Sequence, residues 1–254
     1  MTTDWRTDFA HLPAFAHLTP WLDRLDRADW PGLAALNTLA EQRNLRNSAG
    51  LPVRFAVQTC RCGQHEYEIG IHTTGLVPSR EQNWHDLFNA LTWLAFPATK
   101  AALNAVHHAA LPQGKNRTLE SDAATLFDES GLLLVGEDET LAHLLVARRW
   151  QEALLQRRAN WQHLRAYVVG HAVLEKLLHP WPGITAKCLF IKMPHNTPLD
   201  RLDLTLAQRW QAATNLRPAD MFPVPVLGIP GWWPANEEPE FYADEKVFRP
   251  PRQL

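Results

Sequence analysis

The stretch from residue 84 to residue 108 constrains this chain more than any other. Apolar residues recur at Leu87, Phe88, Leu91, Leu94 and Ala95, the period of a helix. Pro97 then breaks that helix or opens another, because its ring removes a backbone donor and clashes with the preceding turn. The spacing predicts one helix over 84–96 and a second over 98–110, stopped by Leu111-Pro112-Gln113-Gly114.

Elsewhere the pattern changes. Residues 53–58 and 66–72 alternate apolar and polar side chains, which reads as an antiparallel β-hairpin. A second hairpin is expected over 124–127 and 132–135, with Asp128-Glu129-Ser130-Gly131 as its turn. Further helices are expected from Pro31 to about 47, after Asp138, over 171–178 and over 200–215, and strands over 164–169 and 186–192. Residues 1–30 carry Trp5, Phe9, Phe15, Trp21 and Trp30 and are too apolar to remain in water, so they should wrap over the core. Residues 218–254 are rich in Pro and Trp and read as an irregular arm packed on the surface. No internal repeat or long linker divides the chain. The expected fold is α+β, a single domain over 1–254 with antiparallel hairpins against several helices.

Composition bounds the function. Twenty-five basic and 27 acidic residues leave a formal charge of −2, without the basic excess of a nucleic-acid-binding protein. The pairs Arg148-Arg149 and Arg157-Arg158 read as solvated helix faces. No apolar run approaches the roughly 18 residues of a membrane span, and the first residues have no apolar segment like that of a signal peptide. Three cysteines are too few for a disulfide framework, so a cytoplasmic setting is expected. Eleven tryptophans hint at a core with a walled pocket. The usual nucleotide, zinc-protease and serine-hydrolase motifs are absent.

The densest polar cluster is Ser79-Arg80-Glu81-Gln82-Asn83-Trp84-His85-Asp86 with Asn89. A helix starting at Asn83 puts His85, Asp86 and Asn89 in its first two turns, near amides that favour anions. Capping explains part of this: Asn83 is a good N-cap and Asp86 completes a capping arrangement. Arg80, Trp84 and Asn89 are left over. Lys100 and His107, two helical turns apart, can face the preceding helix and join Arg80 and Arg117 in a cationic wall. Asp128 and Glu129 read first as turn residues, and alternatively as carboxylates that orient His85 or bind a metal. Two further strings have metal-like spacing: His171 with Glu175, and Cys60, Cys62 and His65 with His72. The sequence names no cofactor.

The run NWHDLFNALTWLAFPATKAALNAVH, with FDESG downstream, resembles a family of uncharacterised bacterial proteins, a domain of unknown function. The residues that carry the resemblance are Arg80, Asn83, His85, Asp86, Asn89, Pro97, Lys100, His107, Arg117, Asp128 and Glu129. It is close over residues 80–131 and looser elsewhere. The resemblance implies no particular activity; it shifts weight from capping towards function for these polar residues.

Three readings follow. The leading one is an enzyme, a hydrolase or transferase acting on a small anionic substrate. His85 is then the acid or base, Asp86, Asp128 or Glu129 its carboxylate, and Arg80, Asn83, Asn89, Lys100, His107 and Arg117 hold the substrate. The second is a non-catalytic protein that binds a ligand in that pocket, with its arms against a partner or a second copy in a homodimer. The third is a buried network that only specifies the core. Neither nucleic acid nor membrane is an expected partner.

Overall fold

The computed structural model describes residues 4–59, 63–110, 118–212 and 216–250. Its helices are α1 (Thr19–Leu22), α2 (Leu33–Arg43), α3 (Gln64–Thr74), α4 (Trp84–Ala95), α5 (Pro97–Ala109), α6 (Leu119–Ser130), α7 (Thr140–Val146), α8 (His171–Lys176) and α9 (Leu199–Gln211). Its strands are β1 (Arg54–Val57), β2 (Leu76–Ser79), β3 (Gly131–Gly136), β4 (Arg165–Val168), β5 (Thr185–Lys192) and β6 (Phe222–Pro225). The fold is α+β.

Strand β3 is buried along its whole length, as its run of three leucines and a valine requires. It lies inside a mixed sheet ordered β4-β3-β5-β6, parallel to β5 and antiparallel to β4, with β6 antiparallel to β5. Pro223 and Pro225 are tolerated because β6 is an edge strand. One contiguous core of buried side chains extends from Phe9 to Phe248.

The α4–α5 junction forms as the Pro97 signal predicts. Pro97 opens α5, and buried Asp203 of α9 accepts the Ala98 and Thr99 amides at 2.8 Å each. A carboxylate from a distant helix therefore takes the place of an N-cap. The N-terminal arm packs its aromatic residues on α4. Trp5, Phe9 and Trp30 surround Trp84, and Phe9 and Phe15 lie against Phe88, with ring centroids 4.6 to 5.6 Å apart.

Neither expected hairpin forms, although antiparallel pairing occurs within the larger sheet. The first fails because residues 64–74 are helical. Glu66 accepts the Gly63 amide at 3.1 Å at one end, and Gly75, at φ 74°, ends α3 at the other. A Cβ on Gly75 would lie 2.2 Å from the Pro52 carbonyl oxygen, so glycine is required there. Strand β1 then pairs in parallel with β2, on the far side of α3. The second hairpin fails because Thr118 caps α6, accepting the Ser121 amide at 3.1 Å. Ala123, Ala124 and Phe127 are buried at helical spacing. Asp128-Glu129-Ser130 is the last turn of that helix, not a β-turn. The C-terminal arm is not wholly irregular either, since it contributes β6.

Candidate functional site

Helices α3, α4, α5, α6 and α8 contribute to the wall of a cavity of about 510 Å³. Each presents polar residues that a packed core would exclude. His85 projects from the first turn of α4, Glu129 from the last turn of α6, and His171 is the first residue of α8. The Nε2 atoms of His85 and His171 are 3.1 Å apart, and Glu129 Oε1 lies 3.7 Å from His171 Nε2. The Nδ1 of His85 is hydrogen-bonded to Glu175 at 3.0 Å. The Nδ1 of His171 faces Asp128 Oδ2 at 3.8 Å, too far for a hydrogen bond.

Glycine makes this convergence possible. A Cβ on Gly170 would sit 2.4 to 2.6 Å from Gly131 N, Ser130 N and Glu129 O, all backbone atoms that have no rotamer to retreat into. Without a side chain, the segment entering α8 lies against the end of α6, which brings His171 beside Glu129.

Electrostatics separates the two rings. Burial pushes the His171 imidazole down to about 3, so this ring is neutral near physiological pH. Burial also opposes charge on His85, but the Glu175 hydrogen bond and the charge of Glu129 outweigh it and raise its pKa. With no ion between them, a charged His85 donates from Nδ1 to Glu175 and from Nε2 to the lone pair of neutral His171. Glu129 is raised by burial and then by its neighbour Asp128.

The remaining residues are largely committed to one another. Asp86 accepts the Arg80 amide at 2.7 Å and the Arg80 Nε and Nη2 at 2.8 Å each. Burial pushes the Asp86 carboxyl up, but Arg80 more than offsets this and holds it below its ordinary value. Buried Lys100 donates to Asp128 at 2.5 Å and to Asn89 at 2.8 Å, and Asn89 passes the chain on to the Tyr67 hydroxyl at 3.1 Å. Glu68, raised by burial, accepts the Asn104 amide at 2.8 Å. Among the described residues, Glu68, Asp86, Asp128, Glu129 and Glu175 thus stand against Arg80 and Lys100. Among the described residues the surroundings of the cavity are acid-rich, and Arg80 and Lys100 are already paired. Among the described residues this differs from the expected cationic wall, of which Arg117 lies outside them.

Several residues singled out by sequence meet here in roles other than those expected. His85 is oriented by Glu175, not by Asp86 or Asp128. His171 and Glu175 do not form a ligand pair: the first shares a point with His85 and the second supports His85 from behind. Asn83 caps α4 through the Asp86 amide at 3.1 Å and does not line the cavity. His107 does line it, beside Glu68, while Lys100 reaches a smaller pocket beneath. Arg117, Cys60, Cys62 and the His65 side chain lie outside the described residues. His72 stacks on His108 at 3.7 Å. Tyr67, Glu68 and Asn104 escaped sequence reasoning; the first two lie on α3, which alternation disguised as a strand. No tryptophan lines the cavity, though Trp93 lies beneath Lys100, 5.5 Å from its Nζ.

A family model described as Protein of unknown function (DUF3025) matches residues 53–252. The chain belongs to this family. The DUF3025 match takes in every cavity residue named above, and it leaves outside the aromatic arm that covers α4. No curated protein and no solved structure matches the chain. No helix among the described residues is long and apolar enough to cross a membrane.

The ligand atoms of His85, Glu129 and His171 all lie within 4.8 Å of one another, so among the described residues these three form a group able to hold a metal ion. Two imidazoles and a carboxylate suit a first-row divalent ion.

Proposed function

We propose that this protein is an enzyme carrying out hydrolysis or group transfer on a small molecule held in the cavity. The reaction takes place at the point shared by His85 Nε2, His171 Nε2 and Glu129. The observation that carries this reading is the 3.1 Å approach of the two ring nitrogens. Two basic nitrogens aimed at one another contribute little to packing, and an apolar pair of similar volume would serve a core as well or better. Such convergence, at the wall of an open cavity, belongs to sites that handle protons or charge.

Tyr67, Arg80, Asn89 and His107 line the space available to a substrate. The preference for an anion expected from sequence draws little support from Arg80 and Lys100, which are neutralised by Asp86 and Asp128. An anionic substrate needs positive charge beyond these two residues.

A panel of chromogenic phosphoesters, carboxylic esters and anilides, offered to wild type and to His171→Ala, tests the assignment. The expected result is turnover of one class that falls by about 100-fold or more in the variant. Equal turnover in both would move the reaction elsewhere. No turnover of any class by wild type would favour a binding role without chemistry.

A further inference from the structure

We propose that His85, His171 and Glu129 bind one divalent first-row metal ion, with its remaining coordination positions open to the cavity. The inference deepens the enzyme reading by naming its cofactor, but the binding itself stands on separate geometry.

The first argument is spacing. Ligand nitrogens lie about 2.0–2.1 Å from zinc, so two of them at angles from square to tetrahedral are about 2.9–3.4 Å apart. The observed Nε2–Nε2 separation is 3.1 Å. The Glu129 oxygen, at 3.7 Å from His171 Nε2, belongs to a side chain that is 41% exposed, so a rotation within that side chain can close the remaining gap.

The second argument is orientation. Both rings turn Nε2 to the shared point and Nδ1 to a carboxylate: Glu175 for His85 and Asp128 for His171. Carboxylates behind histidines are how proteins fix the tautomer and raise the basicity of a metal ligand. His171 Nδ1 is buried and faces the backbone and the carboxylate of Asp128, without a partner at full hydrogen-bond geometry among the described residues.

The third argument is charge. Arg80 and Lys100 are consumed by Asp86 and Asp128, which leaves Glu68, Glu129 and Glu175 around a site whose histidines come from α4 and α8. A dication compensates that excess. It also adds positive charge for an anionic substrate, and it brings a bound water nearer to ionisation at neutral pH.

The test is isothermal titration of the chelator-stripped full chain with Zn²⁺, with Mn²⁺, and anaerobically with Fe²⁺, using Mg²⁺ as the hard-ion control. Elemental analysis of untreated protein accompanies it. One ion per chain is expected, with affinity reduced about 100-fold or more in His85→Gln and in His171→Ala, and about 10-fold or more in Glu129→Gln. His85 is half-buried, so His85→Gln keeps the test valid should His171→Ala misfold, which circular dichroism reports. Absence of stoichiometric binding would overturn the inference and leave a hydrogen-bonded histidine pair. Binding that survives His85→Gln but is lost in a Cys60→Ser/Cys62→Ser variant would overturn it too. Tight Fe²⁺ binding with no hydrolytic turnover would support the metal site while removing the hydrolytic reading, so the two can fail separately.

Discussion

Two buried histidines, 154 positions apart, show what makes a site and what does not. His171 opens α8 at the cavity; His17 lies in a groove of about 300 Å³ beside Trp161, Tyr167 and Trp232. Burial lowers both, His171 to about 3 and His17 to about 4, and each has one ring nitrogen without a hydrogen-bond partner among the described residues. The surroundings differ. His17 meets Phe96 and Tyr167 ring to ring, with centroids 5.7 and 6.0 Å away, and takes polar support from the Val168 backbone. His171 meets another imidazole and two carboxylates. A depressed pKa alone therefore marks burial, whereas convergence of several titratable groups on one point marks chemistry.

The largest effect that separates the two regions is expected at Gly170. Its φ of −69° suits alanine, so the cost of Gly170→Ala is contact with backbone and nothing else. A Cβ at 2.4 Å from Gly131 N forces the entry to α8 away from α6, at more than about 3 kcal/mol, above the usual range for overpacking because no side chain can give way. Urea unfolding should show that loss, and metal affinity should fall with it as His171 moves from Glu129. The His17 groove should be unaffected, with Trp232 fluorescence in a single-tryptophan background as the readout. A Gly170→Ala chain of wild-type stability would mean that the α6–α8 contact is softer than its geometry requires.

Next in size is the acid response of His17. Its folded pKa of about 4 lies below the unfolded value of about 6.5. The folded chain holds fewer protons between these values, so the contribution is complete above pH 6.5 and is lost as pH falls towards 4. The loss is at most about 3 kcal/mol. His17→Phe, which suits the aromatic surroundings, should flatten that part of the stability–pH curve and leave metal binding at neutral pH unchanged. A curve of unaltered slope in this variant would assign the acid response to the cavity residues instead.

How much of this was legible in the sequence follows the same division. The α4–α5 pair was readable because Pro97 and a long helical period agree, and local signals there coincide with the packing. The β1–α3–β2 unit was not, because Tyr67, Ile69 and Ile71 alternate like a strand while the deciding features, Gly63 and Gly75, act only at the ends. His85 was singled out by local polar density. Glu129, His171 and Glu175 were singled out too, but the meeting of the last two with His85 was not, since Glu175 is 90 residues away and its carboxylate reaches His85 only through the α4–α8 packing. The paired state of Lys100 and Asp128 was equally hidden, because composition records charges and says nothing of which are spent.

The smallest expected effect concerns Asn83, where capping and function were both open. Asn83→Ala removes the acceptor of the Asp86 amide and should cost about 1 kcal/mol in thermal or urea unfolding. Asn83→Asp should recover most of it. Metal affinity should stay within about threefold of wild type, because the His85 ring is held by Glu175 from α8 and not by the cap. The loop before α4 argues for the opposite result with some force. Asp86 ties back to the Arg80 amide and guanidinium, and Gln82 sits at φ 52°, so the whole turn is wound around the residue next to His85. If Asn83→Ala lowers affinity tenfold at unchanged stability, this winding positions the ligand, and the cap belongs with the site rather than with the helix.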